Sequence, residues 1–98
     1  MELHQIRYFL ALCEELNFTR AAERCGVAQS SLTRAIKALE TELGARLFHR
    51  ERANTHLSKL GQKVKPLLEQ AYLHAEAAHR HADDFARPRP VSRAKPGC

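Results

Sequence analysis

Gln29, Ser30, Thr33, Arg34 and Lys37 lie within one short stretch, and helical spacing brings all five onto the side away from Leu32 and Ile36. Every one of them offers a hydrogen-bond donor, and two are cations. Arginine can grip guanine O6 and N7 with two parallel bonds, glutamine can do the same with adenine N6 and N7, and hydroxyls serve a base or a phosphate. A lysine beside them would hold a phosphate and set register without reading sequence. Taken singly, each is also an ordinary solvated helix residue, so the clustering on one face carries the reading.

Other reactive residue types assemble into nothing comparable. Cys13 and Cys25 have apolar or small neighbours and no base beside them, so no nucleophile and no enzyme are expected. Gly44 and Gly61 are isolated, which excludes a phosphate-cradling loop. His74, His79 and His81 follow at steps of five and two, unlike the i, i+4 pair that shares a helical face, so neither a metal nor another cofactor is expected.

The elements that must position the polar face are legible in the apolar periodicity. Leu3, Ile6, Phe9, Leu10 and Cys13 recur at helical steps, giving a first helix up to Leu16. Thr19 stands as an N-cap for a second, short helix over Arg20 to Cys25, which Gly26 stops. Leu32, Ile36, Leu39 and Leu43 form the buried stripe of a third helix from Gln29 to Leu43, ended by Gly44. A tight Gly-containing turn between two helices is a helix-turn-helix, whose second helix can enter a major groove. Leu47 to Arg50 and Thr55 to Leu57 read as two short strands around a polar loop, Glu51 to Asn54, which would be a wing with Arg52 at its tip. Arginine is favoured in a narrow minor groove.

Ser58 can cap a long last helix reaching Phe85, with a bend at Pro66. Along it Val64, Leu68, Ala71, Ala75, Ala78, Ala82 and Phe85 alternate steps of four and three, a heptad seam that calls for a partner helix. We therefore expect a dimer contact, in preference to packing on the chain's own body. The organisation expected is a winged helix-turn-helix over 1–58, a linker and dimerisation helix over 59–86, and a basic Pro-containing hinge or tail over 87–98, mainly α overall.

Composition agrees with a polyanionic partner. Sixteen Lys plus Arg against eleven Asp plus Glu leave +5, concentrated in Arg46 to Lys59 and Arg87 to Lys95. The start lacks a basic leader region and the apolar run Tyr8 to Cys13 is too short for a signal or a span, so no membrane association and a cytoplasmic, nucleoid-associated location are expected. Three cysteines, an odd number, read as reduced thiols.

These residues form a spaced pattern: Met1-Glu2-Leu3 before Tyr8-Phe9, Asn17-Phe18-Thr19 before Ala21-Ala22, Val27-Ala28-Gln29-Ser30, and Leu32-Thr33-Arg34 with Ile36. It continues through Leu39-Glu40, Leu43-Gly44, Leu47-Phe48 with Arg50, and Leu57-Ser58 ahead of Gly61. The pattern resembles the amino-terminal domain of LysR-type transcriptional regulators from Met1 to about Phe85. The resemblance implies a winged helix-turn-helix that dimerises through antiparallel linker helices and binds an interrupted palindrome in promoter DNA. It places Gln29, Ser30, Ser31, Thr33 and Arg34 at recognition-helix positions, Arg52 in the wing, Arg50 beside it and Thr19 near the phosphate backbone. The family continues into a two-lobed effector-binding domain, so a small-molecule effector belongs only to a full-length parent. Ala28 departs from the serine or threonine of many members, and Ser30 and Ser31 from a frequent proline. Two other readings stay open: an oligomerisation or interaction module using the Ala-rich seam, and an architectural binder of DNA without sequence preference.

Overall fold

The computed structural model describes residues 1–51 and 54–86. In chain order it has α1 (Leu3–Glu15), α2 (Phe18–Cys25), α3 (Gln29–Leu43), β1 (Phe48–Glu51), β2 (Asn54–Leu57) and α4 (Lys59–Ala86). Arg52, the expected wing tip, and the expected tail from Arg87 to Cys98 lie outside the described residues.

α1 opens with a reciprocal cap in which the Glu2 backbone N–H donates to Gln5 Oε1 at 2.9 Å. It closes on Leu16 in the left-handed conformation (φ 51°), whose N–H bonds to the Leu12 carbonyl at 2.8 Å. That reversal brings in α2 at once. The N-cap of α2 is Asn17 and not Thr19 as expected: Asn17 Oδ1 accepts the Arg20 N–H at 2.8 Å, so the helix begins at Phe18 and Thr19 lies inside its first turn. Gly26 (φ 71°) then ends α2, and the Val27 N–H returns to the Ala22 carbonyl at 3.0 Å.

α3 has the bounds its apolar stripe predicts. Its N-cap Ala28 is extended (φ −69°, ψ 149°) and supplies no side-chain bond to the first turn. Ala28→Ser is therefore expected to stabilise the fold by about 1 kcal/mol, read as a rise in denaturant midpoint at unchanged slope.

Phe9, Leu12, Leu32, Leu39 and Leu47 are the largest fully buried side chains, and Ala21 and Ala22 let α2 approach closely. α1, α2 and α3 thus share one core, which the wing joins through Phe48, its ring 5.5 Å from that of Phe9. Leu47 was expected in the first strand, yet it points wholly into this core and β1 starts one residue later. The hairpin is antiparallel, pairing Phe48 with Leu57, His49 with His56, Arg50 with Thr55 and Glu51 with Asn54.

Ser58 joins wing to α4 as expected of a cap. Its Oγ accepts the Gly61 N–H at 2.9 Å and donates to the Arg46 carbonyl at 2.6 Å. α4 continues unbroken through Pro66. One side of its first half packs on the chain's own core. Leu68 is 7% exposed and Val64 packs beside it, with Leu60 and Tyr72, against the helical core. Within one chain, Leu68 of the expected dimer seam is thus buried against the helical core and Val64 is half-buried beside it. Ala71, Ala78, Ala82 and Phe85 are exposed and Ala75 is half-buried; Leu67, not part of the expected seam, is 68% exposed.

Cys13 and Cys25 are free thiols. Burial pushes the Cys13 thiol up to about 12, so it stays a neutral core group. Cys98 lies outside the described residues.

Candidate nucleic-acid interface

The polar face of α3 is open to solvent at Gln29, Ser30, Arg34 and Lys37, while Thr33 is half-buried on its wing side. Thr33, Lys37, Arg46 and Arg50 border one hollow between α3 and β1. Ser31 departs from that group. It is half-buried on the opposite flank, in a cleft where α3 meets His4 and Tyr8 of α1, so it borders the recognition face without lying at its centre.

Three contacts hold this surface in shape. Thr19 Oγ1 donates to Gln29 Oε1 at 3.0 Å, tying the start of α2 to the start of α3. The Gln29 amide N–H groups, and a second lone pair on its oxygen, stay available to another partner. The Arg50 guanidinium lies over the Phe18 ring, 4.2 Å from its centroid, which directs a strand residue towards the head of α2. The Glu40 carboxylate accepts the Leu47 N–H at 2.7 Å and the Phe48 N–H at 3.4 Å, fastening the chain where it leaves α3 for the wing. An acid amid cations is thereby engaged with backbone donors.

Charge is distributed to the same end. Among the described residues no carboxylate pairs with Arg34, Lys37, Arg46 or Arg50, whereas Arg24 at the far end of α2 is neutralised by Glu14 (2.6 Å) and Glu15 (3.2 Å). The recognition side keeps its positive potential and can offer it to an anion. Arg46, the helpers Phe18 and Glu40, and the brace between Thr19 and Gln29 were not singled out from sequence. Only the charge of Arg46 was visible there, in the basic run beginning at that residue.

No group of three or more His, Cys, Asp or Glu gathers as around a metal among the described residues, and none of their helices is long and apolar enough to cross a membrane.

A three-helix core with a two-stranded wing, a polar second helix and a long following helix is matched by a family model. Residues 3–62 fit the model described as bacterial regulatory helix-turn-helix protein, lysR family. The chain belongs to the LysR family. It is similar to the HTH-type transcriptional regulator IlvR of Caulobacter vibrioides, with 42% identity over 77 residues that cover 79% of this chain and 26% of that protein. Among solved structures, a full-length OxyR variant from Pseudomonas aeruginosa matches with a TM-score of 0.83 and 32% identity over 89% of this chain and 30% of that one. The CbnR DNA-binding domain, solved in complex with DNA, matches with a TM-score of 0.80 and 31% identity over 89% of this chain and 100% of that one. The curated relatives are transcriptional regulators, in keeping with a chain that is not an enzyme. This chain spans about a quarter of the length of IlvR. In LysR-family terms, α2 and α3 are the helix-turn-helix and β1 and β2 the wing of a DNA-binding domain for transcription regulation.

Proposed function

We propose that the chain reads an interrupted palindrome in duplex DNA as a homodimer, setting one α3 from each copy into a major groove, and so acts at promoters within the cytoplasm. The observation that carries this reading is the donor-rich face of α3, where among the described residues no carboxylate pairs with Arg34 or Lys37, continued by Arg46 and Arg50 beside the wing. Gln29 and Arg34 take the base edges, with Ser30 and Thr33 able to serve base or phosphate. Thr19, Ser31, Lys37 and Arg50 hold phosphates at the borders, and Arg52 reaches the minor groove.

The dimer contact lies on the part of α4 beyond its own core: Ala71, Ala75, Ala78, Ala82 and Phe85. Phe85 is 91% exposed, an aromatic ring in water unless a second helix covers it. Alanines along the rest of the seam let two backbones come close. Ala78→Glu is expected to keep helix content and to weaken self-association about tenfold or more, because desolvating an unpaired carboxylate exceeds the ~1.4 kcal/mol that a factor of ten requires. Sedimentation equilibrium decides it, and a wild-type chain that stays monomeric with and without DNA would remove the dimer.

DNA binding itself is tested by titrating a labelled mixed-sequence duplex with the chain at stepwise salt. The expected result is an affinity that falls linearly on a log–log plot with salt, as counterion release requires. Absence of binding even at low salt would overturn the proposal.

A further inference from the structure

We propose that the outer face of the wing carries a two-imidazole site for a first-row transition-metal cation such as Zn²⁺, formed by His49 of β1 and His56 of β2. The two residues are direct cross-strand partners in the hairpin register. Their ring centroids are 5.4 Å apart and the rings are tilted by 52°. Both side chains are exposed, so an ion can reach them without opening the fold. Directly opposed residues on one strand pair project to the same face with Cβ atoms about 4.5–5.5 Å apart, which is a natural chelate spacing. Nitrogens bound to one ion at about 2.0–2.1 Å sit roughly 3 Å from each other, a separation these exposed rings reach by side-chain rotation.

Strand alternation separates this site from the DNA-facing one. Phe48 points into the core and Arg50 lies over Phe18, whereas His49, between them, projects the other way. Imidazole suits Zn²⁺, Ni²⁺ and Cu²⁺ and not the hard cations Mg²⁺ and Ca²⁺. With two protein ligands, the remaining positions go to water or to an incoming ligand. A bound ion would clip β1 to β2 on the side opposite Arg50 and bring positive charge to the wing. The pair escapes a reading of the sequence because the two histidines are joined only by the register of the hairpin.

The test is a titration of the whole chain with Zn²⁺ alone, following the ring resonances of all its histidines by NMR, with Mg²⁺ as the comparison. The expected result is that His49 and His56 move together and saturate with one dissociation constant, while Mg²⁺ moves neither. His49→Ala should remove the response of His56, and His56→Ala that of His49, each weakening Zn²⁺ binding at the wing about tenfold or more. His49→Gln and His56→Gln, with circular dichroism, separate loss of a ligand from loss of the hairpin. The proposal is overturned if His4, His74, His79 or His81 responds at lower Zn²⁺ than the wing pair, or if His56 still responds fully in His49→Ala.

Discussion

Arg34→Ala should weaken binding to the preferred DNA site between about fivefold and about 150-fold, while mixed-sequence DNA loses far less. The asymmetry follows from where Arg34 sits. It is exposed on α3 between Ser30 and Lys37, and no described carboxylate holds it back, so its guanidinium fork is free to meet a base edge. A phosphate contact would be lost equally on every sequence and would lower the salt slope by about one ion at most. A base contact is lost only where the correct base stands. Arg34→Lys separates the two, since it keeps the charge and discards the planar fork. Competition between a specific and a mixed-sequence duplex measures the difference directly, and an equal loss on both would make Arg34 a phosphate contact.

Gly61→Ala is expected to destabilise the fold by about 2–3 kcal/mol, although the same change inside an ordinary helix would gain up to about 1 kcal/mol. A Cβ at position 61 would meet the Leu47 carbonyl oxygen at 2.5 Å and Leu57 Cδ2 at 2.6 Å. The leucine tip could turn aside. The carbonyl cannot, because it already accepts the Ser58 N–H at 2.9 Å, one of the bonds that seat α4 against the root of the wing. For a chain of this size the expected loss corresponds to a fall in Tm on the order of 10 °C. A thermal scan beside Ala28→Ser, for which a rise is expected, gives two changes of opposite sign at two helix starts. An unchanged or higher Tm for Gly61→Ala would mean that α4 approaches the wing less closely than described.

What could be read in the sequence was whatever one period or one stop signal decides locally. The stripe Leu32, Ile36, Leu39 and Leu43 between Gly26 and Gly44 delimits α3, and with it the outward face of Gln29, Ser30, Arg34 and Lys37. Structure departs from the local signals where tertiary contacts choose between local options. Asn17 and Thr19 are both good caps, and a cap at Thr19 would leave Phe18 outside the helix. It is the first residue of α2, held in place by the core beneath it and by Arg50 above. A heptad seam, likewise, does not say who covers it. Val64 and Leu68 meet the body of their own chain, whereas Ala71, Ala78, Ala82 and Phe85 on the same stripe are exposed. Leu47 has the apolar, strand-compatible character of its neighbours but is drawn into the core, which moves the hairpin by one residue. The hold of Glu40 on two backbone N–H groups, and the bond from Thr19 to Gln29, join residues whose proximity only the folded chain creates.

Two copies of the chain, each presenting α3 and its wing, are expected to read a defined sequence. Selection of bound duplexes from a random DNA pool at about 150 mM salt tests this most directly, because salt sets the non-specific background. The expected result is an enriched inverted repeat whose half-sites are separated by a whole number of helical turns, about 10 bp or a multiple of it, on one face of the duplex. Recovery of a flat pool, with binding but no enriched sequence, would contradict it and leave a basic domain that holds DNA without reading it.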